Sequence, residues 1–159
     1  MTPILEVLQN NAKATVKEIA TMTGLSETEV KKKIKNLEKR GVIIGYKTAI
    51  NWEKAGRESV HALVDVKVTP ERGRGYDAIA ERIYRFPEVK ALYLVSGMYD
   101  LSVLVEGKTM KEVAYFVSEK LAPLEQVQGT VTHFLLKKYK ENGIILEEKE
   151  ENKRLAVSP

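Results

Sequence analysis

Residues 15–45, TVKEIATMTGLSETEVKKKIKNLEKRGVIIG, constrain this chain more than any other stretch. They read as two short helices around a tight turn, followed by a β-hairpin over Val42–Ile50. Thr15 with Glu18, and Ser26 with Glu29, have the spacing of two capping boxes, in which each side chain satisfies a free N–H at the start of a helix. Gly24 lies between them and supplies the reversal that ends the first of the two helices. In the second, Val30, Ile34, Leu37 and the following Gly41 recur at helical spacing and mark the buried side. At 100° per residue the opposite side carries Thr28, Lys32, Lys35 and Lys39, with Lys31 on the flank. Lysine-rich helix faces often serve only solvation. Here the double capping, the turn glycine, the one-sided charge and the wing-like hairpin combine into a helix-turn-helix whose second helix suits the DNA major groove. The residues expected at DNA are Lys31, Lys32, Lys35 and Lys39, with Ser26 and Thr28 at the helix start. Ser26 is expected to be structural first, because an N-cap oxygen is already engaged.

Charge is distributed to match. Residues 1–52 hold nine Lys/Arg against five Asp/Glu, residues 53–136 eleven against twelve, and residues 137–159 six against five. The excess positive charge therefore falls on the third that would meet phosphates. The length of 159 residues fits one large domain or two small ones. Apolar runs are too short to cross a bilayer, and no charged segment followed by an apolar one marks a secretory signal. Cysteine is absent, which excludes disulfides and thiolate metal sites, and a cytoplasmic protein is expected.

Asn51–Arg57 breaks the helical pattern and is expected to link residues 1–50 to a second domain over 58–140, leaving 141–159 as a tail. In that second domain the period changes to two. Val60, Ala62, Val64, Val66 and Val68 alternate with His61, Leu63, Asp65 and Lys67 as a strand. Pro70–Gly75 is a turn, and Tyr76, Ile79, Ala80 and Ile83 give one face of a helix. Val89–Ser96 and Leu101–Glu106 are two strands joined by Gly97-Met98-Tyr99-Asp100. Thr109 and Glu112 suggest a third capping box, with Met110, Val113, Ala114, Val117 and Leu121 on the inner face of the helix that follows. A last strand is expected from about Gln128 to Tyr139. Ile144-Ile145-Leu146 is a candidate edge strand, and Glu147–Pro159 is charged, unpatterned and expected to be mobile. The order βαββαβ is the ferredoxin-like arrangement, an antiparallel sheet with two helices on one side. Several strands are apolar on both faces, so a second copy of the sheet is expected to cover the open one.

A winged helix-turn-helix followed by a βαββαβ domain resembles the Lrp/AsnC (feast/famine) transcription regulators. The matching residues are Glu18-Ile19-Ala20, Gly24-Leu25-Ser26, Val30 to Glu38, Gly41-Val42-Ile43, the Gly97–Asp100 loop and Thr130-Val131-Thr132. Two departures stand out. The first helix starts at about Thr2-Pro3, later than is usual in the family, and Lys33 stands where the family tends to carry arginine in the recognition helix. Lys33 lies beside the core stripe and lacks the bidentate fork of arginine, so no base contact is assigned to it. The resemblance implies a small effector, typically an amino acid, bound between dimers that assemble to tetramers or octamers. It places that site at Gly97, Tyr99 and Asp100 of one dimer facing Thr130 and Thr132 of another. Asp100 would meet the ammonium, and loop N–H groups the carboxylate. The alternative is that Gly97–Asp100 is only a turn.

Two further readings compete. The same two-domain plan serves sirohaem decarboxylases, which hold a tetrapyrrole with histidine and basic residues. This chain has only His61 and His133, both in expected strands, with no phosphate loop, catalytic triad order or metal spacing. The other is a metabolite-sensing module without DNA binding, whose recognition helix would be acidic or apolar outside. The sequence favours a DNA-binding regulator, with no catalytic residue, metal or cofactor assigned.

Overall fold

A computed structural model describes residues 3–52 and 54–146. Two compact units divide between Ile50 and Asn51. The first contains three helices: α1 (Pro3–Asn10), α2 (Val16–Thr23) and α3 (Glu27–Lys39). Both expected capping boxes form. The Glu18 N–H donates to Thr15 Oγ1 at 3.2 Å and the Thr15 N–H to the Glu18 carboxylate at 2.7 Å. The Ser26–Glu29 pair repeats this at 3.3 and 2.9 Å. Gly24 ends α2 at φ +70°, in the left-handed region that glycine enters without a steric cost. The end of α3 is a Schellman motif: the N–H groups of Gly41 and Val42 donate to the carbonyls of Glu38 and Leu37, each at 2.9 Å. Ile4, Ile19 and Val30, one from each helix, form the buried centre, and Val7, Leu8, Leu25 and Ile34 pack around it.

The β-hairpin expected over Val42–Ile50 is corrected. No strand ladder forms within residues 42–50 among the described residues. The backbone bonds at its start run from Val42 and Ile43 N–H to the Leu37 carbonyl, at 2.9 and 3.2 Å. A two-stranded hairpin with no third strand is marginal in water. Ile44 is 94% exposed. Tyr46 ties this segment to α3 by donating its hydroxyl to Glu38 at 2.9 Å. Burial, with that acceptor added to it, pushes the Tyr46 phenol up from its ordinary value.

The second unit contains β1 (Val60–Val68), α4 (Asp77–Tyr84), β2 (Val89–Leu94), β3 (Leu101–Gly107), α5 (Met110–Phe116) and β4 (Val127–Phe134). The strands form one antiparallel sheet in the order β2-β3-β1-β4, the βαββαβ plan expected. On either side of Glu53, the described residues 51–52 and 54–57 make specific contacts. Arg57 donates its N–H to the Trp52 carbonyl, places its guanidinium 4.8 Å from the Trp52 ring, and pairs with Glu106 at 3.2 Å.

One sheet face carries the core. Ala62, Val64, Val66 and Val68 of β1 and Leu101, Val103 and Val105 of β3 are buried against Ile79, Ile83, Val113, Phe116 and Leu121. The inner face of α5 differs from the expectation: Met110 and Ala114 are exposed and Phe116 is buried. Val113, Phe116 and Val117 are spaced i, i+3 and i+4, so ordinary helical geometry puts all three on the buried side, and a π turn over Val117–Leu121 closes the helix. The third capping box is also only half made. Thr109 Oγ1 accepts the Glu112 N–H at 3.1 Å, but the Glu112 carboxylate takes the N–H of Lys108 instead.

The other face carries Leu63, Asp65, Ala91, Tyr93, Ser102, Leu104, Val131 and His133, matched across strands by the register. On this face Tyr93 is 58% exposed, while Ser102 is buried and Glu106 is met by Arg57. β4 stops at Phe134, short of the expected Tyr139. Ile144–Ile145 (β6) pairs with Lys140–Glu141 (β5), not with the edge of the main sheet. Asn142 and Gly143, at φ +49° and +84°, form the two-residue turn between them. The expected mobile segment Glu147–Pro159 lies outside the described residues.

Candidate nucleic-acid interface and ligand site

The first candidate surface is the outer side of α3. Val30 and Leu37 are buried and Ile34 is half-buried, which fixes the rotation of the helix. Thr28, Lys31, Lys32, Lys35 and Lys39 are all exposed as a consequence. At 1.5 Å per residue, Thr28 to Lys39 makes a stripe about 16 Å long. Lys32 and Lys35 make no hydrogen bond or ion pair among the described residues, so their charge is unspent. Lys33 is exposed on the flank, near Glu29 and Asn36.

The helix start is organised differently. Ser26 Oγ donates to Glu29 Oε2 at 2.7 Å while accepting the Glu29 N–H, so its oxygen is committed to the cap. Bonds from the Ser26 side chain and backbone hold the Glu29 carboxyl below the ordinary carboxylate value. Glu27 and Glu29 complement the positive end of the helix dipole. Positive charge is therefore offered by the second and third turns, not by the N-terminus.

The second candidate surface is the Gly97–Asp100 loop between β2 and β3. Gly97 has φ +148°, Met98 is exposed, and Tyr99 and Asp100 are half-buried. The Asp100 N–H donates to the Val66 carbonyl at 3.1 Å, which fastens the loop to β1. The Asp100 carboxylate accepts the Val68 N–H at 3.0 Å, Lys67 Nζ at 3.2 Å and the Tyr76 hydroxyl at 3.4 Å. The Val68 bond above all, with Lys67 beside it, holds this carboxyl below its ordinary value. Asp100 thus bonds a neighbouring strand rather than its own turn. Lys67 and Tyr76 are participants that sequence reasoning missed. The alternation had marked Lys67 only as an outward residue of β1, and Tyr76 only as a helix-face residue.

Thr130 and Thr132 lie on edge strand β4, opposite Val66 and Val64, half-buried on the helix-facing side. Val66 also pairs with Leu101, so β1 stands between the loop and these threonines. Two strand spacings make that separation about 10 Å. Within one chain the structure does not bring the two sets into mutual contact. His61 and His133 sit on the open sheet face, each against a carboxylate: Glu106 at 4.0 Å and Asp65 at 3.3 Å. Burial, with Lys138 nearby, pushes the His61 imidazole down from its ordinary value.

Residues 61–145 match the Lrp/AsnC ligand-binding domain, and residues 4–44 match the winged helix-turn-helix DNA-binding domain. The chain belongs to the Lrp/AsnC family. It is a transcriptional regulator of that type, with a DNA-binding helix-turn-helix and a ligand-binding domain. It is 53% identical over 159 residues to the HTH-type transcriptional regulator YugG of Bacillus subtilis, covering 99% of this chain and 96% of that one. It is 32% identical to the HTH-type regulator FL11 of Pyrococcus furiosus, covering 87% and 88% of the two chains. Among solved structures, the leucine response regulatory protein LrpA of Mycobacterium tuberculosis aligns with a TM-score of 0.75 at 25% identity, over 92% of this chain and 97% of that one. A Neisseria meningitidis regulator solved as an L-Met complex shares the fold, with a TM-score of 0.72 at 24% identity over 88% and 90%. No helix of the described residues is long and apolar enough to cross a membrane.

Proposed function

We propose that this Lrp/AsnC regulator reads double-stranded DNA with the outer face of α3, as a dimer or larger even-numbered assembly, under control of an amino-acid effector. The observation that carries the reading is the unspent lysine stripe, exposed because Val30, Ile34 and Leu37 take the opposite side of the helix. Lys31, Lys32, Lys35 and Lys39 meet phosphates, Thr28 lies near base edges, and Ser26 holds the helix start. The protein works in the cytoplasm and performs no catalysis.

The open sheet face supports the dimer. Tyr93, Val131, Leu63 and Leu104 form an apolar surface that a second copy of the sheet would bury. Two recognition helices then meet half-sites about one helical turn, or a multiple of it, apart. A sedimentation measurement giving a monomer at micromolar concentration would refute this.

The effector site is the Gly97–Asp100 loop with Tyr99, completed by Thr130 and Thr132 from a neighbouring dimer. The separation of about 10 Å within one chain, with β1 between, favours drawing the two halves from different copies. A relative of the same fold was solved with L-Met, which supports an amino acid as the class of effector. Binding need only favour one assembly over another to regulate DNA occupancy. Calorimetric titration of the twenty amino acids against wild type and Asp100→Ala tests the site. Binding to wild type and weaker binding to the variant are expected; no binding, or equal binding, refutes it.

A further inference from the structure

At the end of the sheet, Lys67 Nζ and Asp100 Oδ2 form an ion pair at 3.1 Å. The two members differ in what they have left to offer. A carboxylate has about four lone-pair positions. Asp100 uses three, on the Val68 N–H, Lys67 and the Tyr76 hydroxyl. An ammonium has three N–H donors. Among the described residues Lys67 has Asp100 as its one acceptor, and its side chain is 42% exposed against 15% for Asp100. The residue with free capacity is the lysine.

We infer that Lys67 receives the carboxylate of the amino-acid effector, while Asp100 holds that ammonium in place and gives its remaining lone pair to the effector's own ammonium. This rests on the effector reading above and deepens it. The receptor is then a fixed ion pair, complementary to a zwitterion at both ends. Docking on the pair breaks none of the bonds present. An effector ammonium that replaced Lys67 would instead strand a half-buried carboxylate's existing partner. The Val68 and Tyr76 bonds keep Asp100 from swinging toward solvent, so the lysine is aimed before the effector arrives. Asp100 is mainly a positioning residue in this arrangement, and Lys67 is the binding residue. The ligand class follows: α-amino acids with both charged ends free, rather than amines, esters or 2-oxo acids.

The test is calorimetry on the full chain with the twenty L-amino acids and their methyl esters, using wild type, Lys67→Met and Lys67→Arg. For the amino acid that binds wild type, Lys67→Met is expected to weaken the free acid by about tenfold or more. The methyl ester, which has lost the carboxylate charge, should bind wild type and Lys67→Met alike. Lys67→Arg should restore most of the preference for the acid. If Lys67→Met binds the free acid as wild type does, or still prefers acid to ester, the assignment of Lys67 is overturned and the effector site stands. Equal losses for acid and ester would make Lys67 a support of the loop and also overturn it. If no amino acid binds wild type, the effector reading falls, and this inference with it.

Discussion

Replacing Lys32 and Lys35 together with alanine removes charge from the middle of the α3 stripe and leaves its support untouched. Both side chains are exposed and make no bond among the described residues, while Val30, Ile34 and Leu37 go on fixing the helix. Alanine is the strongest helix former, so lost stability does not confound the result. Each lysine that neutralises a phosphate adds about 0.9 to the slope of log K against log salt. In a dimer the double substitution removes four such contacts, so the slope should flatten by about 3.6. Raising salt fourfold, from about 0.05 to about 0.2 M, should then weaken wild-type binding by about two orders of magnitude more than variant binding. Fluorescence anisotropy on a random-sequence duplex over that range measures the difference, since phosphate contacts are independent of sequence. A variant with wild-type affinity and slope, and an unchanged melting transition, would remove this face of α3 from the interface.

Ser26→Ala should lower the stability of the first unit by about 1 kcal/mol, the usual cost of an N-cap, read from thermal or urea unfolding. Its effect on DNA binding should follow that stability loss and leave the salt slope unchanged, because Ser26 Oγ is committed to Glu29. Asp100 titrates below its ordinary value of 3.8 because the Val68 N–H and Lys67 favour its charged form. Its folded pKa lies below its unfolded one, so its contribution is fully present above about pH 4 and lost as pH falls through the folded value. The stability gap between wild type and Asp100→Asn should therefore close on acidification below that point, and a gap constant with pH would refute the bonding described. Tyr93→Asp with Val131→Asp should convert the assembly to monomers in sedimentation, and an unchanged assembly would move the interface off the open sheet face.

How far the sequence could be read depended on whether a feature is local. The capping boxes at Thr15 and Ser26, the turn at Gly24 and the rotation of α3 follow from residues within a few positions of one another. Each is closed by a hydrogen bond or buried side chain at the distance helical geometry provides. The period-two pattern of residues 60–68 likewise announced β1 and both of its faces. Asn142-Gly143 was an equally local signal for the β5–β6 turn, although the sequence reading missed it.

What failed to show depended on the third dimension. The hairpin after α3 has a strand-like sequence, but strand pairing needs neighbours that local sequence does not guarantee. Which side of α5 is inner depends on how the helix sits on the sheet: with Val113 buried, Phe116 and Val117 at i+3 and i+4 go inward and Met110 and Ala114 stay outside. The role of Asp100 was the least legible. Its partners Val68, Lys67 and Tyr76 lie 24 to 33 positions away and meet it only because β1, α4 and β3 end at the same place. A tight loop names its own residues in the sequence. Which groups those residues face, and how much of their bonding capacity remains, is decided by the packing of elements distant in the chain.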